Sequence, residues 1–153
     1  MRIVLDTNIL VRANAKASGP ARELLQIIAD SPEHNLLLSP FLLQELERVF
    51  SYERVRILSR LTDQEVVEYL SYLQAREISE MVFPGPAPRV VVSDPEDDPV
   101  VHTAVAGQAD ALCTLNRHFY HPAVRDYCRE RGVLIASDVD ILNLLRSRKK
   151  PSE

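Results

Sequence analysis

The sequence has little of several features that would assign a class at once. It has only two cysteines, Cys113 inside an apolar run and Cys128 in a helical pattern, and their number and spacing suggest neither a disulfide framework nor a zinc site. We expect both to be buried free thiols. Its four glycines form no phosphate-binding fingerprint, so the sequence gives no support for ATP or dinucleotide binding.

Long apolar runs and an excess of positive charge are also missing. No run reaches the length of a membrane span, and the N-terminus enters strand-like sequence without a signal segment, so we expect a cytoplasmic protein with no membrane partner. With 18 Lys and Arg against 22 Asp and Glu, the formal net charge is -4. This balance argues against nonspecific coating of nucleic acid, although acids that bind a cation can still receive phosphate oxygens.

Short apolar runs alternate with helical patterns along the 153 residues. The runs at 2–5, 36–38, 90–92, 111–115 and 133–136 predict buried strands. Because helices separate the runs, the pattern indicates a three-layer α/β/α fold with a mostly parallel sheet of about five strands. We expect one domain over residues 1–148 and a short C-terminal tail at 149–153.

Residues 51–78 have a helical pattern throughout, interrupted by a capping box that begins at Thr62. Arg54, Arg56 and Arg60 give the first of these helices a basic side, which we interpret as a solvated face. The tyrosines at 52, 69 and 72 follow helical spacing and are expected in the core or at an interface between chains.

Acids from three separated segments are predicted to meet at one edge of the sheet. Asp6 follows the first strand, Glu45 lies on a helix that begins at Pro40, and Asp97 precedes another helix. Ligands and catalytic groups sit at the carboxyl edge of open α/β sheets. Clustered carboxylates repel one another unless they are protonated or bind a cation, and oxygen ligands suit Mg²⁺ or Mn²⁺. Such an ion polarises a phosphoryl oxygen and orients water for attack on a phosphodiester. Taken alone, Asp6 or Thr7 could instead cap the next helix.

These segments, in this order, resemble the PIN domain family, a ribonuclease fold that includes the toxins of many toxin–antitoxin pairs. The resemblance covers nearly the whole chain and is carried by residues 5–10, 39–45, 94–97 with Val100, Val101 and Ala104, 109–111, 114–116 and 132–135. It implies a metal-dependent endoribonuclease with an RNA substrate, an antitoxin protein as partner and a homodimeric assembly.

Carried over position by position, the resemblance makes Asp6, Glu45 and Asp97 the catalytic, metal-binding acids. It places Thr7 and Asn8 where family members support the first acid or contact the water on the metal.

Four further residues have expected roles beside the predicted acids. The helix after Asp97 begins beside Pro99, where we expect Asp98 to act as a cap. Many family members have a fourth acid where this chain has Asn116, which leaves open whether the site binds one cation or two. Arg117 and His118 follow at a strand end and could touch RNA phosphate.

The sequence bears on two other functions. A catalytically weak or inactive RNA-binding or scaffold protein is consistent with Asn116 and with the acidic charge balance. A phosphatase fold that uses an aspartate nucleophile needs another acid two residues after Asp6, where this sequence has Asn8. That interpretation is therefore not favoured.

Overall fold

The computed structural model describes residues 1–148 of the chain, and the predicted tail at 149–153 lies outside the described residues. Five strands lie within residues 1–148: β1 Arg2–Leu5, β2 Asn35–Leu38, β3 Ser79–Met81, β4 Ala111–Cys113 and β5 Leu134–Ala136. The helices of the same range are α1 Thr7–Arg12, α2 Pro20–Asp30, α3 Pro40–Phe50, α4 Glu53–Ser59, α5 Asp63–Gln74, α6 Asp98–Ala106, α7 Pro122–Glu130 and α8 Asp138–Arg148.

The strands form one parallel sheet in the order β3-β2-β1-β4-β5. In the centre, Ile3 of β1 lies opposite Leu36 on one side and Ala111 on the other. The chain first builds outward from β1 through β2 to β3, and then crosses to β4 on the other side of β1. The winding therefore reverses beside β1, and this switch point is where open α/β sheets place their ligands.

Strand side chains alternate between two hydrophobic cores, one on each face of the sheet. Ile3 and Leu5 belong to the core beneath α1, α2, α3, α5 and α8, whereas Val4 belongs to the core beneath α6 and α7. All three side chains are fully buried. The sheet is therefore covered by helices on both faces, which is why its strands are continuous apolar runs. The predicted three-layer α/β/α fold is confirmed.

One of the five predicted strands is wrong. Residues 90–92 are not a strand: Val90 and Val91 pack into a core as irregular chain, and Val92 is 78% exposed. Their backbone is held by a side chain, since the Asp98 carboxylate accepts from the amides of Val90 and Val91 at 3.0 and 2.6 Å. The fifth strand is instead β3 at the sheet edge, which pairs only with β2 among the described strands.

The helical prediction for 51–78 is correct as two helices but too long at its end. The capping box is confirmed, because Thr62 Oγ1 accepts from the amide of Glu65 and the Glu65 carboxylate accepts from the amide of Thr62. α5 ends at Gln74, and β3 begins five residues later. Both cysteines are buried and free, as predicted. Across the described residues, no helix is long and apolar enough to cross a membrane.

Candidate active site

Asp6 lies at the carboxyl end of the central strand. Its amide continues the ladder by donating to the carbonyl of Cys113 at 2.9 Å, and its carboxylate caps α1 by accepting from the amide of Thr7 at 2.8 Å. The capping alternative is thus correct as a description of local structure. The second carboxylate oxygen accepts from Thr114 Oγ1 at 2.8 Å, so both oxygens are held although Asp6 is only 6% exposed.

Thr114 is a site residue that the sequence analysis did not single out. It follows β4 directly, is fully buried, and its hydroxyl also accepts from the amide of Asn116 at 3.0 Å. A hydroxyl immediately after a buried strand was the available signal. Because β4 pairs with β1, this position lies beside Asp6, and Thr114 supplies the side-chain hydrogen bond that orients that acid.

The two residues predicted to support Asp6 have unused polar atoms. Thr7 contributes through its backbone amide, whereas its buried Oγ1 has no hydrogen-bond partner within residues 1–148. Asn8 Oδ1 is likewise buried and unpaired with any described group. Unpaired buried polar atoms cost free energy, so these two oxygens need a partner that the described residues do not supply, such as an ordered water.

Asn116 connects the end of β4 to Asp97 at the start of α6. Its Nδ2 donates to Asp97 Oδ2 at 3.0 Å, and its Oδ1 accepts from the amide of His118 at 3.0 Å. The orientation of the side-chain amide is unambiguous, because a backbone amide must meet the oxygen and a carboxylate must meet the nitrogen. Both polar atoms of Asn116 are therefore engaged within the protein.

Glu45 approaches the same edge from α3. That helix begins at Pro40 after the Ser39 cap, and it buries Leu42 and Leu46, which leaves Glu45 at the margin of the buried face. The Glu45 carboxylate lies 3.3 Å from Arg48 Nη2, one helical turn further on. This ion pair is partly exposed and contributes little to stability.

All three acids have raised pKa values, and burial is the largest cause for each. The pKa of Asp97 is raised to about 7, chiefly by burial and then by the charges of Asp94, Asp6 and Glu45. Burial also raises the pKa of Asp6, against the hydrogen bonds from Thr114 and Thr7.

The pKa of Glu45 is raised as well, first by burial, with Asp6 and Glu96 adding to the rise and Arg48 opposing it. The structure thus brings the side chains of Asp6, Glu45 and Asp97, predicted from distant segments, into one electrostatic environment. Perturbed carboxylates of this kind concentrate at functional sites.

Asp6, Glu45 and Asp97 have the chemistry of metal ligands, but their arrangement is not that of a metal site. Hard oxygen donors with raised pKa values are suited to a divalent cation, which would favour their charged forms. Yet within residues 1–148 no group of three or more His, Cys, Asp or Glu side chains is arranged so that it could hold a metal ion. Binding an ion would require the acids to approach one another more closely than they do here.

The remaining predicted residues lie nearby but have different roles from those expected. Asp98 is the first residue of α6, and its carboxylate binds the Val90 and Val91 amides, so the prediction that it caps the helix is wrong. His118 Nδ1 lies 2.8 Å from Ser93 Oγ, and Arg117 is exposed beside it. Both belong to a 3₁₀ turn that follows Asn116.

The chain is similar to a known protein family. A family model described as PIN domain matches residues 2–118. The match includes every acid of the site together with Thr114 and Asn116. No curated protein matches the chain.

Proposed function

Because the chain belongs to the PIN domain family, whose fold is of the nuclease type, we propose that it is an endoribonuclease that hydrolyses RNA phosphodiester bonds with a divalent metal ion. One observation carries the proposal: Asp6 and Glu45, which come from distant segments, both add to the raised pKa of Asp97 at the carboxyl edge of the sheet. An acidic site gains affinity for phosphate only when a cation reverses its local charge.

In this proposal the catalytic acids Asp6, Glu45 and Asp97 would hold Mg²⁺ or Mn²⁺. The bound ion would polarise the phosphoryl oxygen and make water a better nucleophile at neutral pH. The protein's own part is to orient the ligands. Thr114 and the Thr7 amide fix the two oxygens of Asp6, since each donates one hydrogen bond to that carboxylate.

Thr7 and Asn8 are proposed to assist through their unpaired oxygens. Thr7 Oγ1 and Asn8 Oδ1 lie directly after Asp6 in the chain and are buried without a partner among the described residues. Because both atoms are closed to solvent, the partner proposed for them is a buried water. Arg117, exposed at the end of β4, and His118 beside it remain proposed contacts to RNA phosphate.

We propose that the site takes one cation. Asn116 occupies the position where a fourth acid would supply a second set of oxygens, and here its Nδ2 donates to Asp97 while its Oδ1 accepts from His118. The amide nitrogen, which cannot ligate a cation, faces Asp97, and one lone pair of the oxygen is used by the His118 amide, so Asn116 offers a second ion no charged ligand. Asn116 and Asp98 then act as positioning residues, the first for Asp97 and the second for the segment that precedes α6.

The biological role we propose is that of the toxin in a cytoplasmic toxin–antitoxin pair. The chain has apolar side chains on α4, α5 and the turn before α4 that lie open to solvent: Tyr52 at 50%, Ile57 at 66%, Val67 at 55% and Tyr72 at 39% exposure. Such a surface is suited to burial against a protein, either an antitoxin or a second copy in a homodimer.

The proposal is tested with purified, antitoxin-free protein and a mixed single-stranded RNA. We expect cleavage with Mg²⁺ or Mn²⁺, no cleavage in EDTA, and loss of cleavage in Asp6→Asn, because the substitution removes a charge and keeps the volume. If Asp6→Asn cleaves like the parent, or if the parent cleaves under no metal condition, the proposal fails.

One observation favours a second candidate, an RNA-binding protein without turnover. The acids in the described part of the chain do not form a group ready to hold a metal ion. This candidate predicts RNA binding that is equal in EDTA and in Mn²⁺, with no product in either. The same assay therefore separates the two functions.

A further inference from the structure

A cavity of about 800 Å³ opens beside Asn8, which lies two residues after Asp6 in the chain. Helices α1 and α4 and the start of α8 contribute to its wall, which includes Asn8 and Asp138 at one part and Leu58 of α4 at another. Neither the resemblance nor the family match assigns this space a function. Its volume is that of a ligand pocket, which is large enough for a few nucleotides of a single strand and too small for a duplex.

Three cationic side chains line this cavity: Arg12, Lys16 and Arg60. Lys16 is already engaged, since its Nζ lies 3.0 Å from the Glu65 carboxylate and donates to the carbonyl of Arg60 at 2.8 Å. The guanidinium groups of Arg12 and Arg60 make no hydrogen bond or ion pair with any described residue. Two unpaired guanidinium groups therefore share one concave surface on a chain whose net charge is -4.

The backbone places Arg60 at this wall by an unusual conformation. Arg60 ends α4 with φ +58°, in the left-handed region that residues other than glycine seldom adopt. The hydrogen bond from Lys16 Nζ to its carbonyl helps to hold that conformation. A left-handed residue is a common way to end a helix, and here it leaves Arg60 bordering the cavity.

The other arginines of α4 do not share this position. Arg56 is paired with Asp63 at 2.6 Å and donates to the carbonyl of Leu61, while Arg54 is exposed and does not line the cavity. The basic side of α4, interpreted from the sequence as a solvated face, is therefore divided into one paired arginine, one solvated arginine and one that faces the cavity.

We propose that this cavity binds the backbone of the RNA strand next to the scissile bond, with Arg12 and Arg60 each contacting a phosphate. The inference rests on the proposed function, because it places the strand relative to that catalytic site. Guanidinium groups match phosphate geometry, and the apolar wall at Leu58 can contact ribose or base. Asp138, only 5% exposed, repels phosphate from its part of the wall and leaves the two arginines as the phosphate positions.

The test measures RNA binding without hydrolysis. A labelled single strand of about eight nucleotides is titrated in EDTA at several salt concentrations with the double variant Arg12→Gln/Arg60→Gln. Each phosphate contact to a single strand contributes about 0.7 to the slope of log affinity against log salt, so the double variant should lose about 1.4. Glutamine is used because it removes the charge and, like arginine, has a long unbranched side chain at the strained position.

The matched control is Arg54→Gln/Arg76→Gln. Both control residues are exposed arginines that do not line the cavity, and their replacement makes the same change in net charge. We expect the control to keep the parent's slope. The variant Arg12→Gln/Arg60→Lys should recover the part of the slope that Arg60→Gln removes. Equal slopes for the cavity variant, the control and the parent would overturn the inference, and would leave the cavity to another class of partner such as a peptide.

Failure of this inference is distinguishable from failure of the proposed function. If the parent never cleaves RNA but the cavity variant alone loses slope, the phosphate site stands and the hydrolase proposal fails. If the parent cleaves and the slopes are equal, the hydrolase proposal stands and the phosphate site fails. A substrate of two nucleotides adds a kinetic check, since the cavity variant should raise KM for a long strand and leave KM for the dinucleotide unchanged.

Discussion

The two edges of the sheet treat charge in opposite ways. At the amino edge, Arg2 of the central strand pairs with Glu80 at 2.8 Å and donates twice to the carbonyl of Gly107, and its amide donates to Asp110. At the carboxyl edge, four residues further along the chain, Asp6 adds with other acids to the raised pKa of Asp97. One edge satisfies its charges, and the other concentrates charge of one sign.

The paired charges of the amino edge stabilise the fold, whereas the carboxyl edge carries the proposed function. The amino edge joins β1, β3 and the turn before β4 through a single arginine, and the N-terminal ammonium group there also donates to the carbonyl of Glu33. Acids whose pKa values are raised by burial at the carboxyl edge cost stability when they are charged, and a sequence selected for stability alone would replace them. Such a local conflict within a consistent fold marks a functional site.

The largest expected effect is a loss of cleavage, and it is measured by making the same substitution, Asp to Asn, at each edge of the sheet. Asp97→Asn should lower cleavage at least about 100-fold, the order expected when a group that stabilises transition-state charge is lost. Asp110→Asn should leave cleavage unchanged and cost about 1 kcal/mol of unfolding free energy, because it weakens the hydrogen bond from the Arg2 amide. Initial rates and urea denaturation of both variants check this. Equal loss of activity in the two variants would contradict the separation of the edges.

A smaller effect is expected on the number of bound metal ions, which should rise from one to two in Asn116→Asp. In Asn116→Asp a carboxylate oxygen would replace the nitrogen that now lies 3.0 Å from Asp97 Oδ2. The metal-free variant should be less stable, and equilibrium dialysis against Mn²⁺ should find two ions per chain where the parent binds one.

Asn35→Asp provides the matched control for that charge change. Asn35 is exposed at the start of β2, on the amino edge, so the same substitution there adds charge far from the site. We expect it to bind one ion. Two ions in the parent, or one in Asn116→Asp, would count against the role assigned to Asn116.

The smallest expected effect is on stability as a function of pH in the absence of metal. Since the pKa of Asp97 is raised from 3.8 to about 7, the native state retains a proton that the unfolded state releases between these values. Its contribution to stability is present below about pH 4 and is lost as the pH rises through about 7.

Denaturation in EDTA at pH 5 and pH 8 measures this contribution. The parent should be less stable at pH 8, and Asp97→Asn should show a smaller decrease. Asp110→Asn, at the paired edge, should retain the parent's decrease. A parent whose stability rises between these pH values would refute the sign of the effect.

Much of this protein could be predicted from short-range patterns. Apolar runs placed β1, β2, β4 and β5, and Ser39 and Thr62 marked two helix starts, because burial on both faces and helix capping depend on residues that are close in the chain. The order of strands and helices then predicted the three layers. The acids could be assigned to the carboxyl edge because every strand of a parallel sheet ends there.

Only the tertiary structure decided which groups meet. The Val90–Val92 run has strand-like residues, but its amides are held by the Asp98 carboxylate, and the edge position of the sheet belongs to β3. Thr114 orients Asp6 across 108 positions of the chain, and no local pattern contains that pairing. Arg60 resembles Arg54 in sequence and differs from it through a left-handed backbone and a neighbouring cavity. Sequence periodicity records which face is buried, whereas hydrogen-bond partners and concave surfaces arise only when distant segments pack.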